Sequence, residues 1–513
     1  MTTLKEAKKW NQPYETPDPE SLSAYQRDIY GSFTKPIFST KPSEWEQLAK
    51  EKVPEANFGY VFGSASSFKT YKANLDAFDK YRLRPRMLVN ATRRDVGVEL
   101  FGTRYKSPIL VAPVGVQNIM HQDAEEATAR ACKNVQVPMI LSTAATRSIE
   151  QVAAANADGD RWYQLYWPKP QEEAITVSLL NRAKANGYKV LVVTLDTFAL
   201  AWRPEDLDNS YLPFLWGDGC QIGHSDPVFQ ERYQEMLKED TRSAGEKLSE
   251  LWTLIKRPGN PLTSLQLLAN ASHIRKSRAW LDVLNSGTYR DWEHLKTLKK
   301  LWDGPIVLKG IQTVEDAHKA IEYGMDGIIV SNHGGRQVDG AIASLDALAE
   351  IGADDKVKQS GLTILFDSGI RTGADVLKAI ALGAKAVLVA RPYMYGLAIR
   401  GQAGVEHVLK CIMADTDNML GNMGKRSLKD LSRDDLQVTL MSHIAKNGSR
   451  FIEFEHQELS ECWNWSWMAH PDCDCGCPRK AAEHCIQPSR MHEKTSADWT
   501  KRYGDLTGDA VQT

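Results

Sequence analysis

The chain has 513 residues, enough for one large domain with appendages or for two to three ordinary ones. A composition that is 42% hydrophobic and 25% charged suits a globular enzyme, and a net charge of −2 argues against nucleic acid or an anionic membrane as partner. No apolar run approaches the roughly 20 residues that cross a bilayer. Met1-Thr2-Thr3-Leu4-Lys5-Glu6 lacks a signal peptide's apolar core, and Val511-Gln512-Thr513 is not a peroxisomal address, so the expected location is cytoplasmic.

Residues 1 to about 105 read as a helical, polar segment. From about Pro108 to Pro392, short apolar runs alternate with amphipathic stretches. The runs are Ile109–Ala112, Met139–Leu141, Tyr163–Leu165, Val190–Val193, Ile306–Leu308, Ile328–Val330, Thr363–Phe366 and Val387–Val389. Continuous apolarity means burial on both faces, as in a parallel sheet. Helical patterns fall between them at Glu125–Lys133, Glu172–Asn186, Val314–Tyr323 and Ala374–Leu382, with Asp123 and Thr313 as capping residues. Eight such units predict an α/β fold, a TIM (β/α)₈ barrel spanning about 106–433. A polar insertion, 216–289, follows the fourth strand and reads as a lid over the site. Residues 434–513 form a polar tail with Trp463, Trp465, Trp467 and five of the eight cysteines. The other three, Cys132, Cys220 and Cys411, are scattered and expected to be buried or inert.

Catalysis in such barrels sits where the strands end. The sixth strand runs into Ser331-Asn332-His333-Gly334-Gly335-Arg336-Gln337. There a histidine that can take a proton lies one turn from an arginine that can hold a carboxylate. The other strands end in Pro113-Val114-Gly115, Ser142-Thr143, Gln164 and Tyr166, Thr194-Leu195-Asp196 with Arg203 nearby, Lys309-Gly310, Asp367-Ser368-Gly369-Ile370-Arg371, and Ala390-Arg391-Pro392. A purely structural barrel has no need of so many polar groups at one rim. Arg371 and Arg391, with backbone N–H groups near Ser368, Gly369 and Ala390, match a phosphate site after strands seven and eight, which implies a phosphorylated cofactor. Lys309 points to the barrel mouth, where a cation would steady a reduced, anionic ring.

These motifs resemble the FMN-dependent α-hydroxy acid oxidases and dehydrogenases, over about residues 40 to 430. The hallmark is Ser331 to Gln337. Gln164-Leu165-Tyr166, Thr194 to Thr197, Leu308-Lys309-Gly310 and Phe366 to Arg371 support it. Trp202 to Leu207, Leu212 to Leu215 and Asp226 to Phe229 are similar to the lactate 2-monooxygenase branch. The resemblance implies FMN as cofactor and oxidation of an L-2-hydroxy acid to the 2-oxo acid. His333 would be the base and Asp196 its partner. Arg203, Arg336 and Tyr60 would hold the substrate carboxylate, and Tyr166 the hydroxyl. Pro113, Val114, Gly115, Ser142, Gln164, Thr194, Lys309 and Ser331 would bind the flavin, with Asp367, Ser368, Gly369, Arg371, Ala390 and Arg391 completing the cofactor set. The implied partners are a small 2-hydroxy acid, molecular oxygen or another electron acceptor, and further copies of the chain in a tetramer.

The chain departs from the family in places. Ala390 stands where glycine is common, leaving a backbone donor in place. Ala144 stands where glycolate oxidase has a tryptophan, which enlarges the pocket and favours lactate or a larger acid. Ser64 lies in a stretch that differs from the common Ser-Gly-Ala pattern. The tail's Cys462, His470, Cys473, Cys475, Cys477, His484 and Cys485 could hold zinc or a softer metal, or form disulfides. Their single-residue spacing is not that of structural zinc sites, so no metal is assigned and the reading is a reduced, disordered tail. Two other functions stay open: a tailoring dehydrogenase for a larger 2-hydroxy acyl metabolite, and a silent barrel with a metal-dependent interaction tail.

Overall fold

The structure, a computed structural model, describes residues 15–256 and 261–439. Eight parallel strands close into a barrel: β1 (Ile109–Val111), β2 (Met139–Ser142), β3 (Arg161–Tyr166), β4 (Leu191–Thr194), β5 (Ile306–Ile311), β6 (Gly327–Val330), β7 (Thr363–Phe366) and β8 (Ala386–Val389). They pair in sequence order, and β8 returns to β1 with Val389 opposite Val111. The helices that follow them are α1 (Ala124–Val135), α2 (Ile149–Asn156), α3 (Glu173–Ala185), α4 (Leu295–Leu301), α5 (Val314–Glu322), α6 (Ser344–Ile351), α7 (Gly373–Ala381) and α8 (Arg391–Asn422). This is the predicted TIM barrel. Thr313 caps α5 by accepting from the Asp316 N–H. Asp123 does not cap α1 through its side chain; its backbone is already helical, which turns the carboxylate away from the free N–H groups.

The strands alternate strictly between two cores. Ile109, Val111, Leu141, Leu165, Val193, Leu308, Ile328, Phe366 and Val389 pack outward with the helices. Leu110, Ile140, Trp162, Val192, Val307, Ile329, Leu365 and Leu388 fill the barrel interior. A hairpin of Val98–Leu100 and Thr103–Tyr105 plugs the N-terminal end, with the Phe101 ring edge-on to Trp162 at 5.6 Å. Because successive side chains alternate, the next inward positions toward the strand ends are Ser142, Gln164, Thr194, Lys309, Ser331 and Asp367. The apolar interior therefore gives way to polar groups after a single step along six of the eight strands, with Ala112 and Ala390 at that level on β1 and β8.

Residues before β1 are helical over Ala24–Ser32, Pro42–Lys50, Glu55–Phe62 and Lys69–Asp76. The third of these departs from the polar reading, since Phe58, Tyr60 and Val61 are buried. Tyr81–Leu83 pairs antiparallel with Leu436–Val438, so the chain on both sides of the barrel meets in one small sheet. The long excursion between β4 and α4 is helical over Pro227–Glu239, Ala244–Lys256, Pro261–Ala269 and Ala271–Leu284. Cys132 and Cys220 are buried and Cys411 is half-buried, all three as free thiols. Among the described residues no helix is long and apolar enough to cross a membrane. The cysteine-rich tail lies outside the described residues.

Candidate active site

His333 follows β6 with a left-handed backbone (φ 59°), a strained setting that the Ser331 hydroxyl supports by accepting the His333 N–H at 3.0 Å. Two neighbours on the same loop fix its position. Asn332 exchanges reciprocal amide hydrogen bonds with Asn74, at 2.8 and 2.7 Å. Gly335 (φ 79°) lies so close to the helix Lys69–Asp76 that a Cβ would sit 2.6 Å from the Tyr71 nitrogen. The loop is thereby clamped to the segment that precedes the barrel.

The His333 Nδ1 lies 2.7 Å from Asp196 Oδ1, at the end of β4. The Thr197 hydroxyl donates to the same oxygen at 2.7 Å. A carboxylate at Nδ1 keeps the proton there and leaves Nε2 as the free acceptor. Burial lowers the His333 pKa from its ordinary value; Asp196 opposes this and Lys309 adds to it. Burial disfavours the Asp196 carboxylate as well, but His333 and Lys309 outweigh it, and the group stays far below the usual carboxylate range. Its Oδ2 accepts no hydrogen bond among the described residues and faces Lys309 Nζ at 4.0 Å. Lys309 also meets Asp367 Oδ2 at 3.4 Å and donates to Ser331 at 3.1 Å. Burial works against its charge, yet Asp367 and Asp196 hold its pKa above the ordinary value.

Two further cations stand beside this pair. Arg203 is buried and donates to the Arg336 carbonyl at 3.2 Å and to Gln337 Oε1 at 2.7 Å. Both acceptors are neutral, and Asp206 stands 4.0 Å away. Burial and the nearby Arg336 push the Arg203 pKa down to about 10, a pressure that a bound anion would relieve. Arg336 donates to the Gly63 carbonyl at 2.5 Å and lies 5.4 Å over the Tyr60 ring. Gln337 ties the two halves together: while accepting from Arg203 it donates to the Asp196 carbonyl at 2.7 Å and the Ala199 carbonyl at 3.1 Å.

One cavity takes in most of the predicted site. Its space, including the open mouth, is about 1230 Å³. Tyr60, Tyr166, Arg203, Lys309, His333 and Arg336 line it, together with Pro113, Val114 and Gly115. Asp367, Ser368, Gly369, Arg371, Ala390 and Arg391 line it too. Ser142, Gln164, Thr194, Ser331 and Asp196 do not face the cavity. The first three form a buried chain, Ser142 donating to Gln164 Oε1 and Gln164 donating to Thr194, each at 3.0 Å.

Beyond β7 and β8, Ser368 and Gly369 are left-handed (φ 85° and 104°), and α8 starts at Arg391 with its N-terminus at the cavity. Arg391 is buried, its guanidinium donating to the carbonyls of Val61, Gly334 and Gly63 and to the Ser64 hydroxyl, at 3.1–3.2 Å. Arg371 donates to the Ile370 carbonyl at 3.0 Å. Among the described residues no group of three or more His, Cys, Asp or Glu is arranged to hold a metal.

The structure adds residues to which the sequence motifs assigned no role. Thr197, Asn332 and Gln337 lie inside those motifs, and their part emerges only from contacts across the fold. Leu200, Phe214, Trp280, Leu281, Leu284 and Asn285 supply further cavity wall. Ala144 lines the cavity as well, and Gly115 packs against it so closely that a Cβ would sit 2.7 Å from the Ala144 Cβ.

The family profile for FMN-dependent dehydrogenases matches residues 49–438. An FMN-dependent α-hydroxy acid dehydrogenase of Schizosaccharomyces pombe is 43% identical over 426 residues, which is 81% of this chain and 97% of that protein. An L-lactate oxidase of Lysinibacillus sphaericus is 37% identical over 391 residues, covering 76% and 90%. A crystal structure of mandelate oxidase superposes with a TM-score of 0.62 at 30% identity, covering 78% of this chain and 98% of that one.

Proposed function

The chain belongs to the FMN-dependent dehydrogenase family, and we propose that it oxidises an L-2-hydroxy acid to the 2-oxo acid, with oxygen as final electron acceptor. The observation that carries this is His333, held 2.7 Å from Asp196 behind it and lining one cavity with the carbonyl-bound Arg203 and Arg336.

FMN is the family's cofactor, and the residues present fit it. A buried lysine stands at the barrel mouth, a loop of left-handed residues meets a helix N-terminus, and two arginines lie beside them. Pro113 to Gly115 and Lys309 would hold the ring, and Ser368 to Arg371 with Arg391 the phosphate. Bound FMN supplies the two-electron acceptor. Arg203, Arg336 and Tyr60 hold the substrate carboxylate, and Tyr166 the hydroxyl. His333 Nε2 takes the proton released there, and Asp196 stabilises the imidazolium that results. The intact pair and clamp count against a silent barrel. Oxygen uptake with L-lactate tests the finer claim: equal uptake of oxygen and formation of pyruvate and peroxide supports an oxidase, acetate supports a decarboxylating monooxygenase, and turnover only with an added acceptor dye rejects oxygen.

A further inference from the structure

We propose that the helix Ala271–Leu284 closes the substrate end of the cavity with an apolar subsite, so that the preferred substrate is a 2-hydroxy acid bearing a large apolar arm, aryl or branched alkyl. This rests on the reading of the site as a 2-hydroxy acid oxidase and names its substrate class.

The long excursion and the loop before it contribute Leu200, Phe214, Trp280, Leu281, Leu284 and Asn285 to the cavity, five of the six apolar. Trp280 and Leu284, like Leu281 and Asn285, are four residues apart, so one helix face meets the cavity. Contacts place this face beside the reacting end. The Phe214 ring lies 6.3 Å from that of Tyr60. Asn285 donates to the carbonyl of Thr197 at 3.5 Å, and the Thr197 hydroxyl bridges to Asp196. The wall is firmly built. A Cβ on Gly223 would sit 2.2 Å from the Trp280 ring, Trp280 packs edge-on to Phe229 at 5.0 Å, and the Gly287 N–H donates to the Phe198 carbonyl at 3.1 Å. Ala144 adds no bulk on the same cavity. Glycolate offers this wall nothing and lactate a single methyl. One methylene in such a pocket is worth about 10–200-fold in discrimination.

FMN-loaded, full-length enzyme is mixed anaerobically with glycolate, L-lactate, (S)-2-hydroxy-4-methylpentanoate and (S)-3-phenyllactate, and the flavin reduction rate is followed against concentration. The result expected is an efficiency for one of the two long acids about 100-fold or more above that for lactate. Lactate or glycolate equal to both long acids, with flavin fully reduced, overturns the subsite and leaves the oxidase reading intact. No reduction of bound flavin by any of the four overturns both. Leu281→Glu, at a half-buried position, should cut the ratio of long-acid to lactate efficiency at least tenfold; an unchanged ratio counts against the subsite. Binding of phenylpyruvate against pyruvate, read from the oxidised flavin spectrum, should follow the same order without turnover, and tighter pyruvate overturns the proposal.

Discussion

Replacing Asp196 with asparagine tests the catalytic pair most sharply. The swap keeps an oxygen near His333 Nδ1 and removes the charge. At the 2.7 Å separation, an imidazolium and a carboxylate attract by about 6 kcal/mol at an effective dielectric near 20. If half of that is expressed once the proton has reached His333, the loss is about 3 kcal/mol, or roughly 150-fold in the reduction rate. The pH profile should move in a fixed direction. The neutral imidazole is the active form, so in the wild type activity rises through a pKa below the ordinary histidine value, because burial lowers it. Asp196 is the group that raises that pKa, while burial, Lys309 and Arg203 lower it. Without Asp196 the acid limb therefore shifts to lower pH even as the plateau drops. The assay is anaerobic stopped-flow reduction of the flavin from pH 5 to 9. A plateau within about fivefold of wild type, or a limb moving toward alkaline pH, would rule out this role for Asp196.

His333→Gln should keep bound flavin yet lose roughly 10²–10⁴-fold in its reduction by substrate, measured in the same apparatus. Arg336→Lys removes the two-pronged fork, so substrate affinity should fall about 10-fold or more while FMN content per protein stays near wild type. Gln337→Leu takes the acceptor from Arg203 and leaves the Asp196 and Ala199 carbonyls without their donor. At about 1–3 kcal/mol for a buried group left unpaired, KM should rise roughly 5–150-fold. Gln337→Glu sets a carboxylate against Arg203 and still leaves both carbonyls without a donor, so KM should rise at least as far, with FMN content near wild type.

The barrel was legible because a parallel sheet covered on both faces must be written as unbroken apolar runs, and its polar rim because each run ends in a group too costly to bury without a use. His333, Asp196, Arg203 and Arg336 were legible as members of motifs, and the fold brings them together. What the motifs did not disclose depends on distant partners. Arg391 reads locally as a phosphate ligand, yet it also anchors Val61, a residue 330 positions away. Asn332 looks like a loop asparagine until Asn74 is placed against it. Trp280, Leu281 and Leu284 sit among arginines and lysines in a stretch that reads as polar, and only the docking of that helix against the barrel shows which face is inward. Asp123 failed as a cap because its own backbone turned helical, a property of geometry that composition does not carry.

Two-electron oxidation of a 2-hydroxy acid at His333 beside bound FMN is the reaction proposed for this chain. The most direct test is anaerobic mixing of the yellow protein, wild type and His333→Gln side by side, with saturating 2-hydroxy acid. The wild-type flavin should bleach with one 2-oxo acid formed per flavin, and the variant should stay yellow on that timescale. Bleaching of the variant at a near wild-type rate, or a wild type that stays yellow with every 2-hydroxy acid offered, would contradict it.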